Sequence, residues 1–279
     1  MDFLIINGEI TRKIEANLTH LFWDEQVVLS QKIWFGFGGI PLFNKNIDFL
    51  CQQLNTLNIE IPEFLKNTRE LMRISKRMLN KNKLYRSGLI NIQLFIFNSK
   101  INYVITSSSF AEFEFSISKQ GMLVDFAEIQ KYSLDKHARY SFYNGKLWEI
   151  AKAQIRSSAY QNSIITNENE MICEGISSNI FMIKDNALIT PSLNSGCFED
   201  TIRNPILEIA SNLQLKIVEI SNIKKERIIE MNEVFFASEE YGIKWVLGIE
   251  RKRFVHQITL QINEQINNYL KEKVESSSR

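Results

Sequence analysis

What most constrains this chain is how often its apolar pattern changes period. Short β-prone runs, closed by Gly or Asn, alternate with segments whose apolar residues recur three and four apart. Phe3–Ile6 runs into Asn7-Gly8, a pair that accepts the positive φ of a tight turn. Residues 27–29 and 33–37 are two more apolar runs, the second ended by Gly38-Gly39. Residues 46–57 set Ile47, Leu50, Leu54 and Leu57 on one helical face, and 61–80 reads as a second helical segment. Residues 89–97 and 102–107, rich in β-branched and aromatic side chains, read as a strand pair.

The second half repeats the alternation. A strand at 122–129 leads into a loop at 133–145 with an Asn144-Gly145 turn, then a helix over 146–159. Residues 163–166 and 171–173 form a hairpin, and strands follow at 179–183 and 187–190. A helix at 203–213, strands at 216–219 and 233–237, and a last helix at 258–271 complete the pattern, with a frayed tail at Ser276-Ser277-Ser278. Such a chain must cover both sheet faces and helix stripes, which an α/β (α+β) architecture of packed layers does. At 279 residues it exceeds the usual single domain. The small and polar residues at 116–121 mark the junction, giving a small N-terminal domain over 1–118 and a larger C-terminal one over 119–279.

Composition narrows the function classes. The 33 Lys and Arg nearly balance 32 Asp and Glu, so charge supports neither a nucleic-acid partner nor an acidic membrane surface. Three cysteines (Cys51, Cys173, Cys197) and three histidines (His20, His137, His256) are too scattered for a disulfide framework or a soft-ligand metal centre. The start, Met1-Asp2-Phe3-Leu4, does not read as a signal peptide, and no apolar run reaches membrane-spanning length. A cytoplasmic protein is the expectation.

The most informative run is Glu174-Gly175-Ile176-Ser177-Ser178-Asn179-Ile180-Phe181. It resembles the "E-G-x-S-S-N-I/L-F" signature of the class IV aminotransferases, which include aminodeoxychorismate lyases and D-amino-acid aminotransferases. Other segments agree in order: Thr190-Pro191 with Leu193 and Gly196, Arg203 opening a helix, Glu233-Val234-Phe235-Phe236-Ala237-Ser238, and Gly242-Ile243. Near the start, Ile6-Asn7-Gly8 and Gly39-Ile40-Pro41-Leu42 fit the family's small domain. The resemblance covers nearly the whole chain. It implies the two-domain fold-type IV architecture, pyridoxal phosphate as cofactor, a homodimer, a site at the domain junction, and an amino acid or amino-chorismate-like ligand.

In that family a lysine amine forms a Schiff base with the cofactor aldehyde, and a glutamate keeps the pyridine nitrogen protonated. The phosphate is held by an arginine, hydroxyls and backbone amides at a helix start. Carried onto this chain, the glutamate is Glu174, with Ser177, Ser178, Asn179, Thr201, Ile202 and Ser238 as further cofactor contacts. The same hairpin residues also suit plain turn formation through local backbone bonds. For the lysine, Ser133-Leu134-Asp135-Lys136-His137 resembles "S-x-x-K-[TSH]", which makes Lys136 the candidate and Lys146 a second choice. Counting back from Glu174 lands on Ser141 instead, about five residues away, so an insertion is needed, and Tyr143-Asn144-Gly145 is a natural place for it.

The phosphate anchors depart from the pattern. Phe49 stands where the family has its arginine, Asp200 where it has a glycine, Ile202 where it has a threonine, and Glu239-Glu240 where it has hydroxyls. A phosphate loses charged hydrogen bonds worth about 1.5–3 kcal/mol each and meets up to three carboxylates. Two readings follow: a relative with weak or no pyridoxal-phosphate chemistry that uses the fold to bind another small molecule or a protein, and an active transaminase or lyase using Lys136.

Overall fold

The computed structural model describes residues 1–21, 26–98 and 100–277, without the side chains of His20 and Ser277. The chain forms two compact units, one of Met1–Glu114 with the chain from Leu270, the other of Phe115–Tyr269.

The first unit is built on strands β1 (Phe3–Ile6), β2 (Glu9–Arg12), β3 (Val27–Phe35), β4 (Gly88–Phe97) and β5 (Lys100–Ser109), in the order β2-β1-β5-β4-β3. Asn7 and Gly8 take positive φ of 46° and 95° between β1 and β2, as a tight turn requires. Residues 27–29 and 33–37 are not separate strands. A continuous ladder pairs Val27 with Ile96 through to Phe35 with Gly88. The polar stretch between them is tolerated because it is bonded: Ser30 donates to Asn91 Oδ1 at 2.7 Å, and Gln31 joins a buried network with Asn46 and Gln53. That network ties β3 to helix α1 (Phe43–Thr56), whose inner face also carries Phe43, Ile47, Phe49, Leu50 and Leu54. The second helical segment is two helices, α2 (Glu63–Lys66) and α3 (Thr68–Lys81). Asn67 separates them and caps α3, accepting from the Glu70 amide at 3.1 Å.

The second unit holds β6 (Met122–Phe126), helix α4 (Ser141–Ile155), β7 (Asn162–Thr166), β8 (Ile172–Gly175), β9 (Asn179–Lys184) and β10 (Ala187–Pro191). Helix α5 (Arg203–Asn212), β11 (Lys216–Ile220), β12 (Glu233–Ser238), β13 (Gly242–Ile249), β14 (Lys252–Arg253) and the start of α6 (Gln257–Ser277) follow. The sheet runs β11-β10-β9-β12-β13-β6-β7-β8, with β14 beside β13. Neighbours are parallel at β10/β11, β6/β13 and β6/β7. Val124, Ile164, Ile180, Met182, Val234, Phe236 and Val246 fill one core and are inaccessible to solvent. The β2, β13 and β14 strands have no counterpart among the expected elements.

Two further expectations are corrected. Asn144 and Gly145 do not form a turn; both lie inside α4, which starts at Ser141 and ends at Ile155. The Asn144 amide explains this, since Nδ2 donates back to the carbonyls of Ala138 at 2.7 Å and Tyr140 at 2.8 Å and so ties the incoming chain to the first helical turn. An insertion at residues 143–145 therefore has no loop to occupy. The tail is also more ordered than its serines suggest, because α6 continues through Ser277; Ser278 lies outside the described residues. No helix among the described residues is long and apolar enough to cross a membrane.

Candidate active site

The signature run forms the β8–β9 hairpin. Ser177 takes a positive φ of 55°, and Gly175 and Ser178 exchange backbone bonds at 2.9 and 3.4 Å. Gly175 is required by space: a Cβ there would lie 2.4 Å from the Phe236 ring and 2.6 Å from Ser178 Oγ. Ser178 Oγ donates to the Ile176 carbonyl at 3.3 Å, and the Asn179 amide donates to the Phe198 carbonyl. Asn162 Oδ1 accepts the Ile176 amide at 3.0 Å. These groups build the turn with the chain's own backbone.

Glu174, at the end of β8, is fully buried and takes three donors from the chain. Trp148 Nε1 on α4 donates to Oε1 at 2.8 Å, and the Phe198 amide donates to Oε2 at 2.6 Å. The third donor is Lys131 Nζ, whose side chain is as completely buried as the carboxylate it meets. The Trp148 and Phe198 rings pack edge to face at 4.9 Å beside the pair. No sequence motif pointed to Lys131. It sits in an irregular stretch after β6, 43 residues before Glu174, so neither spacing nor periodicity signals the contact.

Lys136 and Lys146 are exposed, Lys136 on the turns between β6 and α4 and Lys146 on α4. Ser141 is the first residue of α4 and partly buried. The nearby His137 bonds Asp135 Oδ1 through Nδ1 at 2.8 Å, and the His137 amide donates to the same oxygen, holding the Asp135 carboxyl below its usual range.

The start of α5 and the end of β12 meet around Asp200. Its Oδ1 accepts the amides of Ile202 at 3.0 Å and Glu239 at 3.1 Å, and Ser238 Oγ donates to Oδ2 at 3.3 Å. Thr201 Oγ1 is engaged with the Glu239 carboxylate, and Ser238 Oγ accepts the Glu240 amide at 3.1 Å. Burial, helped by the Glu240 charge, pushes the Asp200 carboxyl up to about 6 despite these donors. Burial also pushes the Tyr241 phenol up, with the Asp200 and Glu240 charges adding to it. Of the residues singled out from the sequence, Thr201, Ile202 and Ser238 thus come together, but around a carboxylate of the chain.

Arg203 opens α5, yet its guanidinium turns to the end of β10. It donates to Thr190 Oγ1 at 3.1 Å, to the Pro191 carbonyl at 2.7 Å, and to Glu219 at 2.8 Å. It is a buried clamp between α5, β10 and β11. Cys173 and Cys197 are buried as well, and burial pushes both thiols up, which leaves no thiolate for nucleophilic work near Glu174.

Known proteins give this geometry its context. A probable branched-chain-amino-acid aminotransferase of Aquifex aeolicus is 27% identical over 130 residues, 45% of this chain and 42% of that protein. A second, from Thermotoga maritima, is 33% identical over 78 residues, 28% of this chain and 26% of that protein. The aligned stretches therefore span less than half of these relatives. Solved structures share the fold over almost the full length. The branched-chain aminotransferase of Thermoproteus uzoniensis with norvaline superposes with a TM-score of 0.82 at 18% identity, covering 98% of this chain and 96% of that one. A putative 4-amino-4-deoxychorismate lyase of Legionella pneumophila gives 0.77 at 17% identity, covering 87% and 91%. The profile of the amino-transferase class IV family matches residues 38–242. With that match over most of its length, this chain belongs to the class IV aminotransferase family and carries its two-domain α/β fold.

Proposed function

We propose that this protein is a class IV aminotransferase relative with weak or no pyridoxal-phosphate chemistry, which uses the fold to bind another small molecule or a protein partner. The observation that carries the reading is Asp200. The amides at the start of α5 and the end of β12, the donors a phosphate would need, already point at its carboxylate. An incoming dianion meets that charge together with Glu239 and Glu240, and at close range in a partly desolvated cup like charges repel strongly. Phe49, where the resemblance places an arginine, is an uncharged, buried side chain of α1. The residues around Asp200 and Glu174 therefore do not fit pyridoxal phosphate bound in the family's manner, and no reaction step is assigned to it.

A second reading, an active transaminase or lyase with Lys136 as the Schiff-base residue, draws on family membership and on Glu174 standing buried in its signature hairpin. The exposure of Lys136 counts against it. Titrating the purified protein with pyridoxal phosphate separates the two. The first expects no saturable absorption band in the violet and full release of the compound on desalting. A stoichiometric, borohydride-trappable adduct on Lys136 would establish the second. The family's homodimer is part of the same proposal and is checked by sedimentation.

A further inference from the structure

Among the described residues, Lys131 is the one buried lysine. A lysine withdrawn completely from water is tolerated only beside a partner that offsets its desolvation, and here that partner is an equally buried carboxylate. Its backbone is fixed on both sides: the Lys131 amide donates to the Thr166 carbonyl at 2.8 Å, and the Glu168 amide donates to the Lys131 carbonyl at 3.0 Å. The following residue pair is held too, since Ser133 donates to Glu168 through its amide at 2.8 Å and its hydroxyl at 2.6 Å. Gly196 packs so closely on Ser133 that a Cβ would lie 2.6 Å from the Ser133 Cα. The ammonium is thus delivered to Glu174 by a rigid segment.

We propose that Lys131 is a resident cation filling a built-in cation box, formed by the Glu174 carboxylate and walled by Trp148 and Phe198, so that the family glutamate now anchors segment 131–140 and serves no ligand. Glu174 Oε2 already takes both Lys131 and the Phe198 amide, and Oε1 takes Trp148, so the ammonium meets a carboxylate held by two further donors. This deepens the reading above and rests on it in one respect, that the acid has lost its cofactor role. The occupant is defined by chemistry: a primary ammonium on a short apolar stem. Truncation of Lys131 to alanine removes three methylenes and the charge, the outline of propylammonium.

The test is chemical rescue. Lys131→Ala is expected to unfold at lower temperature than the parent, and propylammonium chloride is expected to raise its midpoint by about 3 °C more than sodium chloride of equal strength. The parent and Lys131→Ala/Glu174→Gln should show no such difference. Equal response of parent and variant, or a Lys131→Ala protein as stable as the parent, would overturn the proposal. Should that variant fail to fold, the volume-preserving Lys131→Met/Glu174→Gln protein decides: it folds with a midpoint well above Lys131→Met alone if the two charges serve only each other, and equal instability of the two sinks the idea. Borohydride trapping of the parent with pyridoxal phosphate keeps the two readings apart. A stoichiometric adduct on Lys131, or a saturable complex weakened by Glu174→Gln, defeats the resident-cation proposal, whereas a saturable complex that leaves Lys131 unmodified and is unchanged by Glu174→Gln defeats the proposed function alone.

Discussion

The β8–β9 hairpin and the α5–β12 cup lie in the same unit and have met different fates. In the hairpin every residue that matches the family signature also serves the fold: Gly175 clears Phe236, Ser177 takes the left-handed turn, and Asn179 reaches the Phe198 carbonyl. In the cup, Asp200 accepts the Ile202 amide at the helix start and the Glu239 amide at the end of β12, at a position where the resemblance expects a glycine. A motif whose residues also serve packing thus says little about chemistry, whereas the Asp200 contacts bear directly on whether a phosphate finds donors there.

The comparison can be broken by mutation. Glu174→Ala should have the largest effect, because it strands the buried Lys131 ammonium; loss of one partner of a buried pair costs about 3–5 kcal/mol, measurable by urea unfolding. A loss below about 1 kcal/mol would mean the pair is hydrated in solution. Gly175→Ala comes next, at about 1–3 kcal/mol, since the added methyl overlaps the Phe236 ring and Ser178 Oγ.

The cup predicts a pH effect of opposite character to the usual carboxylate. Asp200 is raised from 3.8 to about 6 in the folded protein, so between these values the native state holds a proton the unfolded chain has released. Its contribution to stability is complete below about 3.8 and is lost as pH rises through 6. Asp200→Asn should flatten the parent's loss of stability between pH 4 and about 6.5, with other groups' titrations common to both proteins. An unchanged difference between the two proteins across that range would show that Asp200 is not desolvated. The smallest effect is expected outside both regions. Gly145→Ala, at a helical position where a Cβ meets nothing within 4 Å, should stabilise by about 0.5–1 kcal/mol, and destabilisation would indicate a contact that α4 makes elsewhere.

Much of the architecture was legible. Phe3–Ile6 and its Asn-Gly turn, the strands on either side of residues 167–170, and the helix opened by Arg203 follow from local periodicity and turn chemistry. The failures share a cause. Asn144-Gly145 reads as a turn by propensity, but the Asn144 amide bonds to Ala138 and Tyr140 carry it into a helix. Residues 30–32 read as a break in β3 because their side chains are polar, and the partners of Ser30 and Gln31 on β4 and α1 are not signalled by local pattern. In the site, the acids at 200, 239 and 240 were plain from the residues themselves.

By itself, then, the sequence determined the family, the hairpin that presents Glu174 and the acidic character of the cup, because these depend on residue identity and short-range spacing. Tertiary structure alone decided which lysine meets Glu174 and that Asp200 accepts amides from two separate elements. Both contacts join segments distant in the chain, 43 residues apart for the pair and 39 for the Asp200–Glu239 bond. Their strength comes from burial, a property of the folded molecule that no local pattern encodes.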